Sequence, residues 1–227
     1  ILICVAFTSL LGVAIEKLAY KPLRHSARIS LLITAIGISF FLQNAAQLIF
    51  GADPVMFENL FPGNLSLGAL TVSRVSVIII CVSIVLMIAL VLLVNKTRMG
   101  RAMRAVSEDE STAALMGINV NTTISFAFAL GSALAAVAAI LYSCAYTQIS
   151  PTMGGMLGLK AFVAAVLGGI GSIPGAMLGG ILIGICETLT KAYISSSFAD
   201  AIVFGILIVV LIIRPSGLLG VKTKEKV

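Results

Sequence analysis

Four stretches of this sequence carry no charged residue. They are the 24 residues between Arg28 and Asp53, the 21 between Arg74 and Lys96, the 49 between Glu110 and Lys160, and the 26 between Lys160 and Glu187. About 20 apolar residues in a helix cross the ~30 Å hydrocarbon core of a bilayer. Inside lipid the backbone N–H and C=O groups meet no water, so a spanning segment must satisfy them internally, as a helix does. Composition agrees: 11% of the residues are charged, against roughly 25% in a soluble domain. That is too little charge to cover a surface in water. The fold class is therefore all-α, a polytopic transmembrane helical bundle. We read spans at about 1–15, 29–50, 75–95, 122–146, a two-armed segment at 158–190, and 194–213, with the chain 1–227 forming one membrane domain.

The formal net charge is +6, but its distribution argues against nucleic acid as a partner. The basic residues sit in short connections between apolar spans and form no folded basic face with aromatics. Lys17, Lys21, Arg24 and Arg28 fall in the connection 16–28. Lys96, Arg98, Arg101 and Arg104 fall in 95–110, and Arg214, Lys222, Lys224 and Lys226 in the tail. The positive-inside rule puts these three regions, and with them the C-terminus, in the cytoplasm. The opposite connections hold only Arg74, Lys160 and Lys191, with Asp53, Glu58 and Asp200 among them.

This orientation constrains 158–190. Span 122–146 runs outward and the last span must run inward, so the segment between them has to enter the membrane and return. A break is written at its middle: Gly168-Gly169-Ile170-Gly171-Ser172-Ile173-Pro174-Gly175. Glycine permits a tight turn, and Pro174 suits the first turn of a following helix. At 1.5 Å per residue a first arm of about 158–170 reaches only ~20 Å, short of the ~30 Å core. We expect a broken-helix hairpin with its turn at or near the cytoplasmic side. Gly175-x3-Gly179 and Gly180-x3-Gly184 on the second arm have the spacing that lets helices approach closely in lipid.

The connection 96–120 is too long and too patterned for a simple turn. Arg101, Arg104 and Glu108 share one helical face at i, i+3 and i+7. Glu108, Asp109 and Glu110 precede a helix-prone Ser-Thr-Ala-Ala-Leu-Met run, as acids do at a helix N-terminus, and Gly117 supplies a stop. We expect two short helices lying along the membrane surface; a solvated basic loop is the alternative on spacing alone.

These residues carry a resemblance. The segment GRAMRAVSEDESTAALMGINV resembles the cytoplasmic coupling loop of ABC-importer permeases of the branched-chain amino acid type, LivH-like. GLKAFVAAVLGGIGSIPGAMLGGILIG resembles that family's broken-helix segment, RPSGLLG its ending, and KPLRHSARISLLITAIGISFFLQN its earlier cytoplasmic loop and helix. The likeness covers essentially the whole chain and is closer to the LivH type than to its LivM-type partner. Ala113-Ala114 and Gly117 carry part of the family's EAA-type loop signature, one residue off in spacing. The chain opens on Ile1 and is apolar at once, so we expect a piece cut inside a first helix, and the resemblance implies further N-terminal helices that are missing here. No basic stretch precedes that run and no small-residue cleavage site follows it, which argues against a signal peptide.

The resemblance implies a transport subunit of the bacterial inner membrane, surrounded by lipid, that performs no chemistry and holds no cofactor. It implies two ABC ATPase subunits below, a second LivM-like permease subunit beside it, and a periplasmic substrate-binding protein above. Gly100, Arg101, Arg104, Glu108, Asp109, Ala113 and Gly117 would form the surface coupled to the ATPase. The rival reading is a stand-alone secondary transporter or channel, because broken hairpins occur there too. Such transporters tend to carry ionisable groups near midplane, and only Glu187 is a candidate here.

Two polar sets stay open. Ser39, Gln43 and Gln47 recur every four residues with Asn44 beside them; they either line a substrate path or hydrogen-bond to neighbouring helices. Lys160 and Glu187 stand about equally far from the Gly-Pro turn and either pair or snorkel separately to headgroups. Other patterns fail. GGIGSIPG lacks the Lys-Ser/Thr of a phosphate loop. His25 is the only histidine and has no cysteine nearby, and Cys4, Cys81, Cys144 and Cys186 have no metal spacing, so no metal site is expected. Asn64-x-Ser66 and Asn121-x-Thr123 match a glycosylation pattern by chance.

Overall fold

The computed structural model describes residues 1–24, 26, 28–56, 63–67, 70–169, 171–214 and 216–220. His25, Glu58, Ile170, Pro215, Lys222, Lys224 and Lys226 lie outside the described residues, so the charge pattern of the tail is a sequence argument only.

Among the described residues the chain forms nine α-helices: α1 Leu2–Ile15, α2 Arg28–Phe50, α3 Arg74–Lys96, α4 Arg98–Glu108, α5 Glu110–Leu115, α6 Val120–Ala145, α7 Met153–Gly168, α8 Ile173–Tyr193 and α9 Ala199–Ile213. Six helical runs there are long and apolar enough to cross a bilayer: Leu2–Leu23, Ile29–Phe50, Arg74–Lys96, Val120–Ala145, Ile173–Tyr193 and Ser196–Ile213. Exposed Ile, Leu, Val and Phe side chains stud all of them but Val120–Ala145, whose exposed residues are mostly small. In water that would drive aggregation; in lipid it is the expected outer surface. The polytopic all-α reading holds. Two short antiparallel strand pairs were not foreseen: β1 Val55–Met56 with β4 Gln148–Ile149, and β2 Asn64–Leu67 with β3 Leu70–Ser73. They satisfy backbone groups in connections that no helix covers.

The chain folds as two compact units, Ile1–Thr152 and Met153–Val227. In the first, α1 packs along α6. A methyl group at Gly12 would overlap the Ser132 side chain and lie 3.3 Å from the Phe128 carbonyl oxygen, so glycine sets the approach there. Lipid offers no hydrophobic drive between helices, and van der Waals contact over small residues replaces it. The sequence reading ended this first span near residue 15, at the charged pair Glu16-Lys17. The helix instead runs on through a wider π-type turn, Glu16–Tyr20, and a 3-10 turn, Lys21–Leu23. The side chain of Glu16 is partnered inside the protein, which removes the reason to stop.

In the second unit α7 and α8 form the expected hairpin. The chain leaves α7 at Gly168, reverses through Gly169 and Gly171, and re-enters a helix at Ile173 with Pro174 in its first turn. Gly169 and Gly171 have φ of +107° and +93°, which side-chain-bearing residues rarely adopt. The Ser172 hydroxyl accepts the Gly175 N–H at 3.2 Å and caps α8. The first arm has 16 residues, beginning at Met153 rather than near 158. It spans ~24 Å and remains short of the ~30 Å core.

Methyl groups at Gly168, Gly175 and Gly179 would overlap backbone atoms of the facing arm, so the arms touch main chain to main chain. The second predicted pair behaves differently. Gly180 has its nearest neighbour at 3.9 Å and Gly184 has nothing within 4 Å. Val163, Leu167, Ile183 and Val203 form the buried core of this unit, with Leu218 against it. The ending RPSGLLG also acquires a structural role. The Leu218 and Leu219 N–H groups donate to the carbonyls of Leu167 and Gly168, both at 2.9 Å. They satisfy acceptors that the end of α7 would otherwise leave orphaned.

Candidate functional site

The connection between α3 and α6 is the element that the sequence singles out, and it forms two helices, α4 and α5, as expected. Its corners are fixed one by one. The Thr97 hydroxyl accepts the Gly100 N–H at 3.0 Å and starts α4. Gly100 is buried, and a methyl group there would overlap the backbone of Leu93 and Val94, so α4 folds hard against the end of α3. Asp109 joins the two helices. Its carboxylate accepts the Ser111 N–H at 2.9 Å, the Ser111 hydroxyl at 2.7 Å and the Thr112 hydroxyl at 2.5 Å. Those hydroxyl and amide bonds, with Thr112 first, hold its pKa down to about 2. Gly117, with φ +82°, closes α5. The Ile118 N–H reaches the Ala113 carbonyl at 3.1 Å and the Gly117 N–H the Ala114 carbonyl at 3.0 Å, a Schellman ending. Asn119 then caps α6, accepting the Thr122 N–H at 3.2 Å.

The two faces of this pair differ. Val106 and Ala113 are buried and Met103 half-buried, toward the rest of the unit. Arg101, Arg104, Glu108 and Asp109 are exposed, and the first three form no ion pair among the described residues. The sequence reading passed over Leu115 and Met116 as helix formers. They stand out at 89% and 79% exposure beside the charged face. Their signal was available: two large apolar residues at the end of a six-residue helix cannot both be buried by so short an element.

Sequence reasoning also missed a buried polar knot on α1. Glu16 is 0% exposed. One carboxylate oxygen accepts from Arg24 Nη2 and the other from the Ser125 hydroxyl at 2.6 Å. Arg24 Nη1 donates to Asn121 Oδ1 at 2.7 Å. The only hint in the sequence is a lone acid at the edge of an apolar run. A cleft of about 670 Å³ lies between this knot and α5, lined by Lys21 and Arg24 on one side and Asp109, Glu110 and Ser111 on the other.

The polar set of α2 makes its hydrogen bonds within its own helix. Gln43 Nε2 donates to the Ser39 hydroxyl at 3.0 Å, and Asn44 Nδ2 to the Phe40 carbonyl at 2.7 Å, all within the one helix. Ser39 and Asn44 are exposed, Gln43 and Gln47 half-buried.

On the second unit Lys160 and Glu187 pair at 2.8 Å. Lys160 also meets Asp200 at 2.8 Å, and Glu187 meets Lys191 at 2.6 Å. One charged cluster therefore ties α7, α8 and α9, midway along α7 and toward the far end of α8 from the turn.

A family described as branched-chain amino acid transport system, permease component, matches residues 1–211. The chain is similar to the LivH high-affinity branched-chain amino acid transport system permease protein of Escherichia coli K12. The two are 44% identical over 98% of this chain and 74% of the relative. It is 45% identical to the BraD permease protein of Pseudomonas aeruginosa, over 97% of this chain and 73% of that one. It is 34% identical to the probable LivH permease protein of Methanocaldococcus jannaschii, over 93% and 71%. No solved structure matches it. The matched residues take in α4, α5, the Glu16 knot and the whole hairpin. The relatives are permease components of transport systems rather than enzymes, and the chain belongs to the branched-chain amino acid transport system permease family, in its LivH type.

Proposed function

We propose that this chain is the membrane-spanning permease subunit of an ATP-driven importer of branched-chain amino acids, and that α4 and α5 are its contact with separate ATPase subunits. The observation that carries the reading is the construction of that pair. Both helices are capped at their junctions by Thr97, Asp109 and Gly117, so the element is stiff. Its inner face is buried, and its outer face presents Arg101, Arg104, Glu108, Leu115 and Met116. A stiff lever with an apolar tip and charged flanks is what a protein partner binds; charges at the rim set register and apolar contacts supply affinity. The basic residues in and beside the pair, Lys96, Arg98, Arg101 and Arg104, support a position on the cytoplasmic side of the membrane, and the basic tail supports the same side for the C-terminus.

Around this core the reading assigns two ATPase subunits below, a LivM-like permease subunit alongside, and a periplasmic binding protein above that selects the substrate. Ser39, Gln43, Asn44 and Gln47 belong to the translocation path. None of the residues 29–50 of α2 is buried, so that helix has a face available to a second subunit. The α7–α8 turn at Gly168, Gly169, Gly171, Pro174 and Gly175 faces the cytoplasm. The stand-alone carrier has no comparable support, because the relatives carry the description of components of larger transport systems.

Reconstitution tests the reading. The complex in proteoliposomes should take up labelled leucine only with ATP inside the ATPase compartment. The double variant Arg104→Glu/Glu108→Arg should insert normally yet lose ATPase retention and uptake together. Normal ATP-driven uptake by that variant would remove α4 from the contact.

A further inference from the structure

Buried ion pairs seldom stabilise a fold better than apolar residues of the same size would. Glu16 and Arg24 therefore call for a reason beyond stability. Their surroundings supply one. Asn121, Ser125, Phe128 and Ser132 recur along α6 at helical spacing, and each meets the first helix. Asn121 bonds Arg24, Ser125 bonds Glu16, Phe128 packs against Tyr20 with ring centroids 5.0 Å apart, and Ser132 abuts Gly12. The Phe128 contact is packing that tolerates a small slide along the helices. The Asn121 and Ser125 contacts are charge-assisted bonds, to Arg24 and to a carboxylate with both oxygens engaged, and together they favour one register. The lock residues Asn121 and Ser125 lie within the first two turns of α6, which follows α5 after four intervening residues. Glu16 itself opens the π-type turn at the foot of α1, a local widening that often accompanies function.

We infer that Glu16 and Arg24 are positioning residues that fix the register between α1 and the first turns of α6, so that displacement of α4 and α5 is carried into α1 instead of being lost as slip along an apolar seam. This rests on the proposed ATPase contact at α4 and α5. Arg24 also lines the 670 Å³ cleft facing Asp109, Glu110 and Ser111. That open cleft leaves α5 joined to α1 through α6 and the lock, with little direct packing between them. When α5 moves, α6 moves with it, and Glu16 ties α1 to α6. Neutralising Glu16 should therefore separate ATP hydrolysis from transport without preventing assembly.

The test uses the complete complex in proteoliposomes, with ATP hydrolysed and labelled leucine imported measured on the same sample. ATPase retention and binding-protein docking serve as checks of assembly. Glu16→Gln is expected to keep the assembled complex and hydrolysis within about twofold of the parent, while ATP consumed per leucine rises at least tenfold; Glu16→Asp, which keeps the charge, should recover much of the parent ratio. Because Glu16→Gln leaves Arg24 less well partnered and risks misfolding, Ser125→Ala and Asn121→Ala provide milder versions that retain the ion pair. Each should raise the ratio severalfold. An unchanged ratio in assembled Glu16→Gln, or in both milder variants should that one fail to assemble, overturns the inference while leaving the ATPase contact intact. A parent complex that imports leucine independently of ATP overturns both together.

Discussion

Gly179 and Gly180 are neighbours on α8, and alanine at the two positions should have opposite effects. At Gly179 the added methyl group overlaps the Ala164 carbonyl oxygen and lies 3.0 Å from the Gly168 nitrogen. Both obstacles are main chain and cannot rotate away, so α7 and α8 must separate. Overpacking typically costs 1–3 kcal/mol, and a backbone obstacle belongs at the upper end, ~2–3 kcal/mol. Separation would also pull Val163 from Ile183 in the core and stretch the Lys160–Glu187 pair across the same seam. At Gly180 the nearest atom is the Ala164 Cβ at 3.9 Å, an ordinary contact. There the substitution adds only the helix preference of alanine over glycine, up to ~1 kcal/mol in favour. The two variants should therefore differ by about 3 kcal/mol, more than a hundredfold in the folded-to-unfolded ratio. Reversible unfolding of the isolated subunit in mixed micelles, titrated with SDS and followed by circular dichroism, measures this directly. Equal midpoints for the two variants, or a lower one for Gly180→Ala, would refute backbone contact as the basis of the hairpin.

The charged cluster and the Asp109 cap give two further expectations. Lys160→Met strips Asp200 of its lysine while Glu187 keeps Lys191, and should cost ~2–3 kcal/mol, because hydrogen bonds to charged groups contribute about 1.5–3 kcal/mol each. Combined with Glu187→Gln, the loss should fall short of the sum of the single losses by ~1–2 kcal/mol in the same SDS titration; strict additivity would mean that the two residues do not interact. At Asp109 the folded pKa of about 2 lies below the usual carboxylate value near 3.9. The stabilisation from its charge is thus full above about pH 5 and is lost progressively as pH falls from about 4 through about 2. Amide protection at Ser111, Thr112 and Ala113 should stay level from pH 6 to about pH 5 and drop severalfold in that range in Asp109→Ala, read by hydrogen exchange; protection that already falls between pH 6 and pH 5 in the parent chain would contradict the cap.

What could be read from the sequence followed from costs that are local. A charge in lipid is expensive wherever it sits, so charge-free runs located the spans to within a few residues at most ends. Turn chemistry is local too. Gly117, Asp109 and the Gly168–Gly175 break each announced their elements, because positive φ and orphaned helix-end groups have few chemical solutions. What escaped depended on a partner far away in the chain. Glu16 looked like the end of a span because its acceptors are filled by Arg24 and by Ser125, 109 residues later. Gly179 and Gly180 looked alike because spacing reports that two residues share a helix, not which one of them another backbone presses against. Lys160 and Glu187 were legible as a possible pair only through their equal distance from a turn that the sequence had already marked. Asp200, on a third helix with no such symmetry, was not. The same distinction separates the two parts of the functional reading. The outer face of α4 and α5 is visible in the sequence because Arg101, Arg104 and Glu108 have no ion-pair partner among the described residues. The register lock that would carry their motion into α1 is hidden because its charges are satisfied completely.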